Sequence, residues 1–410
     1  MVFYKKIIKK GKSIDVMLSE TPDFNTDISL YKELDRDLLP HEVKLHEIFN
    51  SIHIEESGEL KYDILLKKAK VNGIIKKLVD EYVDLFLYSK FLIIIPTSKI
   101  SQTNLSNEII RKIELVSEKE SFQKSVLEKV TRLYFIFKEL NKSQIFRENF
   151  VIFGGTAING IYTKWPRLSV DLDIQYVGDQ NKEQIDSIRE QVNKVLEDKF
   201  TLLNYELKST RITGGTYSYK IKYVMKNGHT EDIKLDINFL NRVPILPLIK
   251  DKFYSPLGDE YFETLTFQKE ELYAKKMLAL TQRTASRDIF DVCNMVKINI
   301  SIFVKVLTCT YILNRVDLQE LKRFDLREKN LKDFQNQLRP TLRKNVNLKS
   351  DYLIIATQEK IEKVQRYITH KYLQFATNFN REKPNFEDLF EGDEFNEDIN
   401  KSPLLETLRK

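Results

Sequence analysis

The sequence predicts an α/β (α+β) fold, a mixed sheet flanked by helical regions at both ends. Three observations predict it. Phe122, Val126, Val130, Leu133, Phe137 and Leu140 recur at three- and four-residue steps and make one apolar stripe, a helix over residues 118–141. Short β-branched and aromatic runs follow, alternating first with helical patterns and then with a turn. After residue 299 the chain returns to apolar and basic helical segments.

In order, Asn149–Phe153 reads as a short buried strand ending in Gly154-Gly155, with Thr156 able to cap a helix from Ala157. Asp171–Val177 reads as a second strand. Ile185, Ile188, Val192 and Val195 mark a helix over 182–199. Strands are expected at Leu202–Leu207, Tyr217–Met225 and Glu231–Leu240, with Lys226-Asn227-Gly228 as the hairpin turn of the last two. Helices follow over 269–282 and from Arg287. Before all this, Ile64, Leu65, Ile74, Ile75, Leu78, Tyr82 and Leu85 suggest a small, mainly helical region. Its lysines (Lys67, Lys68, Lys70, Lys76, Lys77) suit a solvated face, or a face toward a polyanion. Asp388–Asp398 is an acidic run, expected to be a partly mobile surface segment. The resulting division is 1–115 (helical, role unassigned), 116–265 (core) and 266–410 (helical).

Composition narrows the class. With 410 residues the chain has room for two or three domains. The net charge of +6, from 66 basic against 60 acidic residues, is too mild to argue for nucleic-acid binding. Cys293 and Cys309 form no CxxC or Cys/His cluster, so a structural zinc site is not expected, and two lone thiols suit a reducing compartment. MVFYKKIIKKGKS lacks the apolar core of a secretory signal, and Phe91–Pro96 is too short to span a bilayer. The expectation is a cytoplasmic protein.

The chemistry concentrates in FGGTAINGIYTKWPRLSVDLDIQY, Phe153–Tyr176. Asp171 and Asp173 are two apart on a strand, so they share a face. Two like charges there repel unless the strand is an exposed edge or a hard cation takes the carboxylates. Asp236 lies within IKLDINF and joins them if its strand pairs beside theirs. Three clustered carboxylates suit two Mg2+ ions, with Mn2+ as an alternative, for in-line attack of a hydroxyl on a phosphate. Gly154-Gly155-Thr156 stands at a strand-to-helix turn. Glycine there lets backbone N–H groups approach phosphate, although such turns are also common for structural reasons alone. Lys276 and Arg283 are seven apart, on one helical face, and can hold a triphosphate or simply face solvent. Arg287, Asp288 and Asp291 form either an ion-pair brace or ligand contacts.

These motifs, in this order, resemble the AbiEii/AbiGii-type nucleotidyltransferase toxins of the DNA polymerase β-like nucleotidyltransferase superfamily. The residues that carry the resemblance are Gly154-Gly155-Thr156-Ala157, Pro166 through Asp173, Lys234 through Phe239, Arg242-Val243-Pro244, and Glu271 through Asp291. It covers roughly residues 123–300. It implies a polymerase-β-like core and transfer of a nucleotide from an NTP to an acceptor, which in characterised relatives is tRNA. It further implies Asp171, Asp173 and Asp236 as metal ligands, Asp236 also as a base, and Gly154, Gly155, Thr156, Lys276 and Arg283 as nucleotide-binding. Arg167, Ser169, Arg287, Asp288 and Asp291 are implied as support. A cognate antitoxin is implied, linked functionally and without a stable complex, in a type IV toxin–antitoxin or abortive-infection (phage defence) system. The residues also leave open another acceptor, protein or small molecule, or a silent NTP- or RNA-binding module.

Overall fold

The computed structural model describes residues 3–9, 12–19, 31–33, 59–80, 92–96 and 105–402, the last with breaks at 179–181, 204, 214, 225–229 and 383–384, together with Leu45, Ile48 and Leu405. The chain forms two compact units, residues 1–108 with 197–206, and residues 109–196 with 207–410.

The first unit departs from expectation. Its described residues include a five-stranded sheet, which the helical expectation did not contain, in the order β3-β5-β2-β1-β4. The strands are β1 (Phe3–Lys9), β2 (Lys12–Ser19), β3 (Tyr31–Glu33), β4 (Glu59–Lys61) and β5 (Leu92–Pro96). β1 and β2 pair antiparallel, with Lys9 opposite Lys12. The signal was present: Ile14, Val16 and Leu18 alternate with period two, and Leu92–Ile95 is largely β-branched. Helix does occur in α1 (Tyr62–Val71), where Lys67, Lys68 and Lys70 are exposed and Ala69 is buried. Tyr82 and Leu85 lie outside the described residues.

The second unit holds a seven-stranded mixed sheet ordered β11-β12-β6-β7-β10-β9-β8. These are β6 (Phe150–Phe153), β7 (Asp171–Tyr176), β8 (Glu206–Thr213), β9 (Thr216–Val224), β10 (Thr230–Asn238), β11 (Ile249–Tyr254) and β12 (Tyr261–Thr266). β7 is central: it pairs antiparallel with β6 and parallel with β10. Alternation gives it a dry face, with Leu172, Ile174, Leu235 and Ile237 fully buried. α2 (Asn107–Glu120) and α3 (Lys124–Lys142) precede β6. The single helix expected over 118–141 is broken at Ser121, with φ 58, between α2 and α3. Val130, Leu133, Phe137 and Leu140 of its stripe are buried, and Tyr134 and Phe137 meet Phe253 and Phe262 of the β11–β12 hairpin. That hairpin carried no sequence expectation.

One strand limit needs correction. The expected strand at 202–207 begins too early: α5 runs Lys182–Leu202, and the strand, β8, starts only at Glu206 and continues to Thr213. Val192, Leu196, Phe200 and Leu203 continue its apolar period to the end. β9 and β10 pair as expected, Val224 opposite Thr230, and the Lys226-Asn227-Gly228 turn lies outside the described residues.

Between β6 and β7 the chain makes a short helix, α4 (Gly154–Ala157), that runs on as a π-helical turn over Ile158–Tyr162. After β12 come α6 (Lys269–Arg283), α7 (Ser286–Cys293), α8 (Ile300–Leu313), α9 (Ser350–Tyr367) and α10 (His370–Glu382). The acidic run at 388–398, expected to be mobile, is docked. Leu389 and Phe390 are buried, Phe390 stacks on Phe395, and the Asn396 amide donates to the Ile245 carbonyl at 2.9 Å. The buried Lys305 of α8 donates to the Phe390 carbonyl at 2.7 Å and to Asp393 at 2.8 Å. An ammonium inside an apolar helix needs those acceptors, so it ties the segment down.

Candidate active site

The double glycine is a requirement of packing. Gly154 has φ +73, and a Cβ there would lie 2.6 Å from Asp173 Oδ2. A Cβ on Gly155 would lie 2.5 Å from Arg167 Nη2 and 2.9 Å from Ser169 Oγ. Any side chain would therefore push the turn off the carboxylates. One sequence expectation is corrected here. The Thr156 side chain is fully buried and its hydroxyl donates to the Asp171 carbonyl, so it clamps the turn to β7 and does not face a ligand.

The three acids do come together. The β7–β10 register sets Asp173 opposite Asp236, and Asp171 opposite Lys234. Asp171 and Asp173 sit on the half-buried face, away from Leu172 and Ile174. Because β7 is central, the edge-strand explanation for an acid pair does not hold. Burial, then the charges of Asp171 and Asp236, push Asp173 up to about 7. Two cations answer this charge: Lys234 Nζ is 2.5 Å from Asp236 Oδ2, and Arg287 donates to Asp171 at 3.3 Å. Lys234 is partly desolvated, yet its bond to Asp236 and the nearby acids raise its pKa. Asp236 Oδ1 is buried without a partner. A buried, half-satisfied carboxylate beside two more fits a hard cation. Among the described residues no three such groups already close around one point. Lys234 and Arg287 hold two of the carboxylates in ion pairs instead.

The facing wall comes from α6 and α7. Lys276, buried, donates to Asp288 at 2.9 Å and lies 3.1 Å from Asp291. Arg283 grips Asp288 through Nε and Nη2 at 2.6 and 3.0 Å. Arg167 grips Asp291 through Nε and Nη2 at 2.8 and 2.6 Å, and Asn159 donates to the same carboxylate at 3.1 Å. Despite burial, Lys276 and Arg283 hold Asp288 down to about 2, and Arg167 and Lys276 lower Asp291. Both are held ionised by the ion pairs they make with Lys276, Arg283 and Arg167. A cavity of about 460 Å3 lies between the walls, lined by Gly154, Gly155, Asp171, Asp173, Asp236 and Lys276 among others, with Arg167, Ser169, Arg283, Arg287 and Asp288 also on its surface.

A family model described as nucleotidyl transferase AbiEii toxin, type IV TA system, matches residues 138–391. The chain belongs to the AbiEii nucleotidyltransferase toxin family. It is accordingly a nucleotidyltransferase of toxin–antitoxin type. The AbiEii chain is similar in fold to MenT4, a nucleotidyltransferase toxin from Mycobacterium tuberculosis, with a TM-score of 0.51 at 13% identity over 70% of this chain and 99% of that one. JHP933 from Helicobacter pylori matches with a TM-score of 0.37 at 14% identity, over 64% of this chain and all of that one (100%). No curated protein sequence matches. No helix among the described residues is long and apolar enough to cross a membrane.

Four polar cavity residues of this AbiEii chain had no site role assigned from the sequence: Lys234, Asn238, Thr216 and Lys275. Lys234 and Asn238 flank Asp236 at two residues on either side, so period-two alternation would have found them. Thr216 is opposite Asn238 on β9, which only the register reveals. Lys275 lies 3.0 Å from Glu271 and 3.4 Å from the Phe267 ring centroid, and burial lowers its pKa. Glu271 is itself buried, accepting at 3.0 Å from the Ile245 and Leu246 amides.

The raised Asp173 has a consequence for stability. Its carboxyl is protonated in the native state up to about pH 7, whereas in the unfolded chain it ionises near 3.8. The native state therefore binds more protons in that window, and stability falls as pH rises from about 4 to about 7. Thermal melts of the metal-free protein across this range should show Asp173→Asn losing less stability with rising pH than the wild type. Parallel curves would rule the assignment out.

Proposed function

We propose that this chain is a Mg2+-dependent toxin of the cytoplasm that transfers NMP from an NTP to tRNA, releasing pyrophosphate, as the growth-arresting half of a type IV toxin–antitoxin system serving phage defence. The observation that carries the reading is the register that sets Asp173 opposite Asp236, with Asp171 on the same face, under a double-glycine turn and across one cavity from Lys276.

Asp171, Asp173 and Asp236 would hold divalent metal, which when bound supplies charge neutralisation at the phosphates and acidifies the acceptor hydroxyl. Gly154 and Gly155 leave the turn bare, so phosphate oxygens can approach its backbone. Lys276 has three N–H donors and gives two to Asp288 and Asp291, which leaves one for a phosphate. Arg283 holds Asp288 with one edge of its guanidinium, and its largely exposed remainder can take a second phosphate. Asp236, with one oxygen free of any donor, is the candidate base for the acceptor hydroxyl. Asp288, Asp291 and Arg167 position this set.

Purified protein incubated with total tRNA, Mg2+ and each α-labelled NTP in turn should label tRNA with at least one of them. Label on protein alone would move the acceptor from RNA to a polypeptide. No transfer to anything would leave NTP or RNA binding as the role.

A further inference from the structure

Six cationic side chains line the cavity, Arg167, Lys234, Lys275, Lys276, Arg283 and Arg287, and they differ in freedom. Lys276 has a side chain 6% exposed and is locked between two aspartates. Arg283 is committed to Asp288. Arg287 reaches Asp171 at the longer distance of 3.3 Å. Lys234 makes the shortest contact with any of the three acids, 2.5 Å to Asp236 Oδ2, yet its side chain is 51% exposed. Nothing in the core fixes it there.

Its position on the sheet explains the contact. Lys234 and Asp236 are two apart on β10 and share the cavity face. Directly opposite Lys234 on β9 stands Lys220, paired at 3.4 Å with Asp232. Like charges facing across strands repel, which favours Lys234 leaning toward Asp236. Asp236 in turn has one oxygen on the Lys234 ammonium and the other buried without a donor. The carboxylate is thus half neutralised by a movable side chain.

We propose that Lys234 is a built-in counter-ion that occupies Asp236 until a divalent cation takes that carboxylate, so that metal binding and release of Lys234 are a single exchange. This rests on the reading of Asp171, Asp173 and Asp236 as metal ligands. The exchange lets three acids be buried together without metal, and it lowers metal affinity. The released ammonium then stays on the cavity wall, free to meet an anion that enters the cavity.

The test is a Mn2+ titration of the full chain without nucleotide, read from the resonance of free Mn2+. Lys234→Met should tighten Mn2+ by about tenfold, because one competing charge is gone. Lys234→Arg, which keeps the cation, and Lys220→Met, which removes a nearby charge that does not touch Asp236, should stay within about twofold of wild type. In metal-free melts Lys234→Met should be less stable than wild type, and saturating Mn2+ should close the gap. Equal or weaker Mn2+ binding by Lys234→Met overturns the exchange while the metal reading stands. Equal tightening by Lys220→Met overturns it too, since a general field would then suffice. A wild type that binds no Mn2+ overturns both.

Discussion

Asp173→Asn should abolish nucleotide transfer, with a fall of at least about a thousandfold in rate, while the protein remains folded. The residue lies at the centre of the three acids, opposite Asp236 and against the bare turn at Gly154. Asparagine keeps the shape and removes one of the charges that a divalent cation needs. Asp171→Asn and Asp236→Asn should do the same, because each carboxylate serves the same ions. The melt separates chemistry from folding: removing a carboxylate that burial and its neighbours disfavour should raise metal-free stability above about pH 7, not lower it. Activity lost together with higher metal-free stability is the signature of a functional group held at a cost to the fold. Full activity in Asp173→Asn would remove the metal reading.

Asp291→Ala should have the largest effect on stability, a loss on the order of 3–5 kcal/mol in denaturant melts. Asp291 is a buried anion gripped by Arg167, approached by Lys276 at 3.1 Å and bonded by Asn159. Its removal leaves two buried cations with part of their partners gone. Arg167→Met should cost less, since Asp291 keeps Lys276 and Asn159, and since Arg167 already has one buried nitrogen, Nη1, without a partner. The ordering matters more than the size. If Arg167→Met proved the worse of the two, Asp291 would not be the hub of the brace. Because the Arg167 guanidinium also lies where any side chain on Gly155 would go, loosening the brace should disturb the double-glycine turn as well.

Much of the core was legible because its signals are local. The stripe on α3, the alternation of β7 and β10, and the seven-residue step from Lys276 to Arg283 each need only neighbouring residues to read. What went wrong was local too, at weaker signals. Strands of the first unit went unread despite the alternation in β2 and the β-branched run of β5, and the period of α5 ran on past its expected end. The β11–β12 hairpin and the docking of 388–398 had no local signal strong enough to read, since both depend on partners more than 80 residues away.

The residues of the site follow the same division. From the sequence come the kinds of group and their local facing: two aspartates on one face, a turn without side chains, two basic residues along one helix. Their roles depend on partners that only folding selects. A slip of one residue between β7 and β10 would carry Asp236 to the dry face and destroy the cluster, and no local pattern specifies that register. Thr156 looks like a ligand until its hydroxyl is seen to clamp Asp171, and Asp291 looks like one until Arg167, 124 residues earlier, is seen to hold it. Periodicity is written within a few residues, whereas a buried charge finds its counter-charge through packing across the whole chain. That is why many of the elements could be read in advance, and why the partner of each buried charge could not.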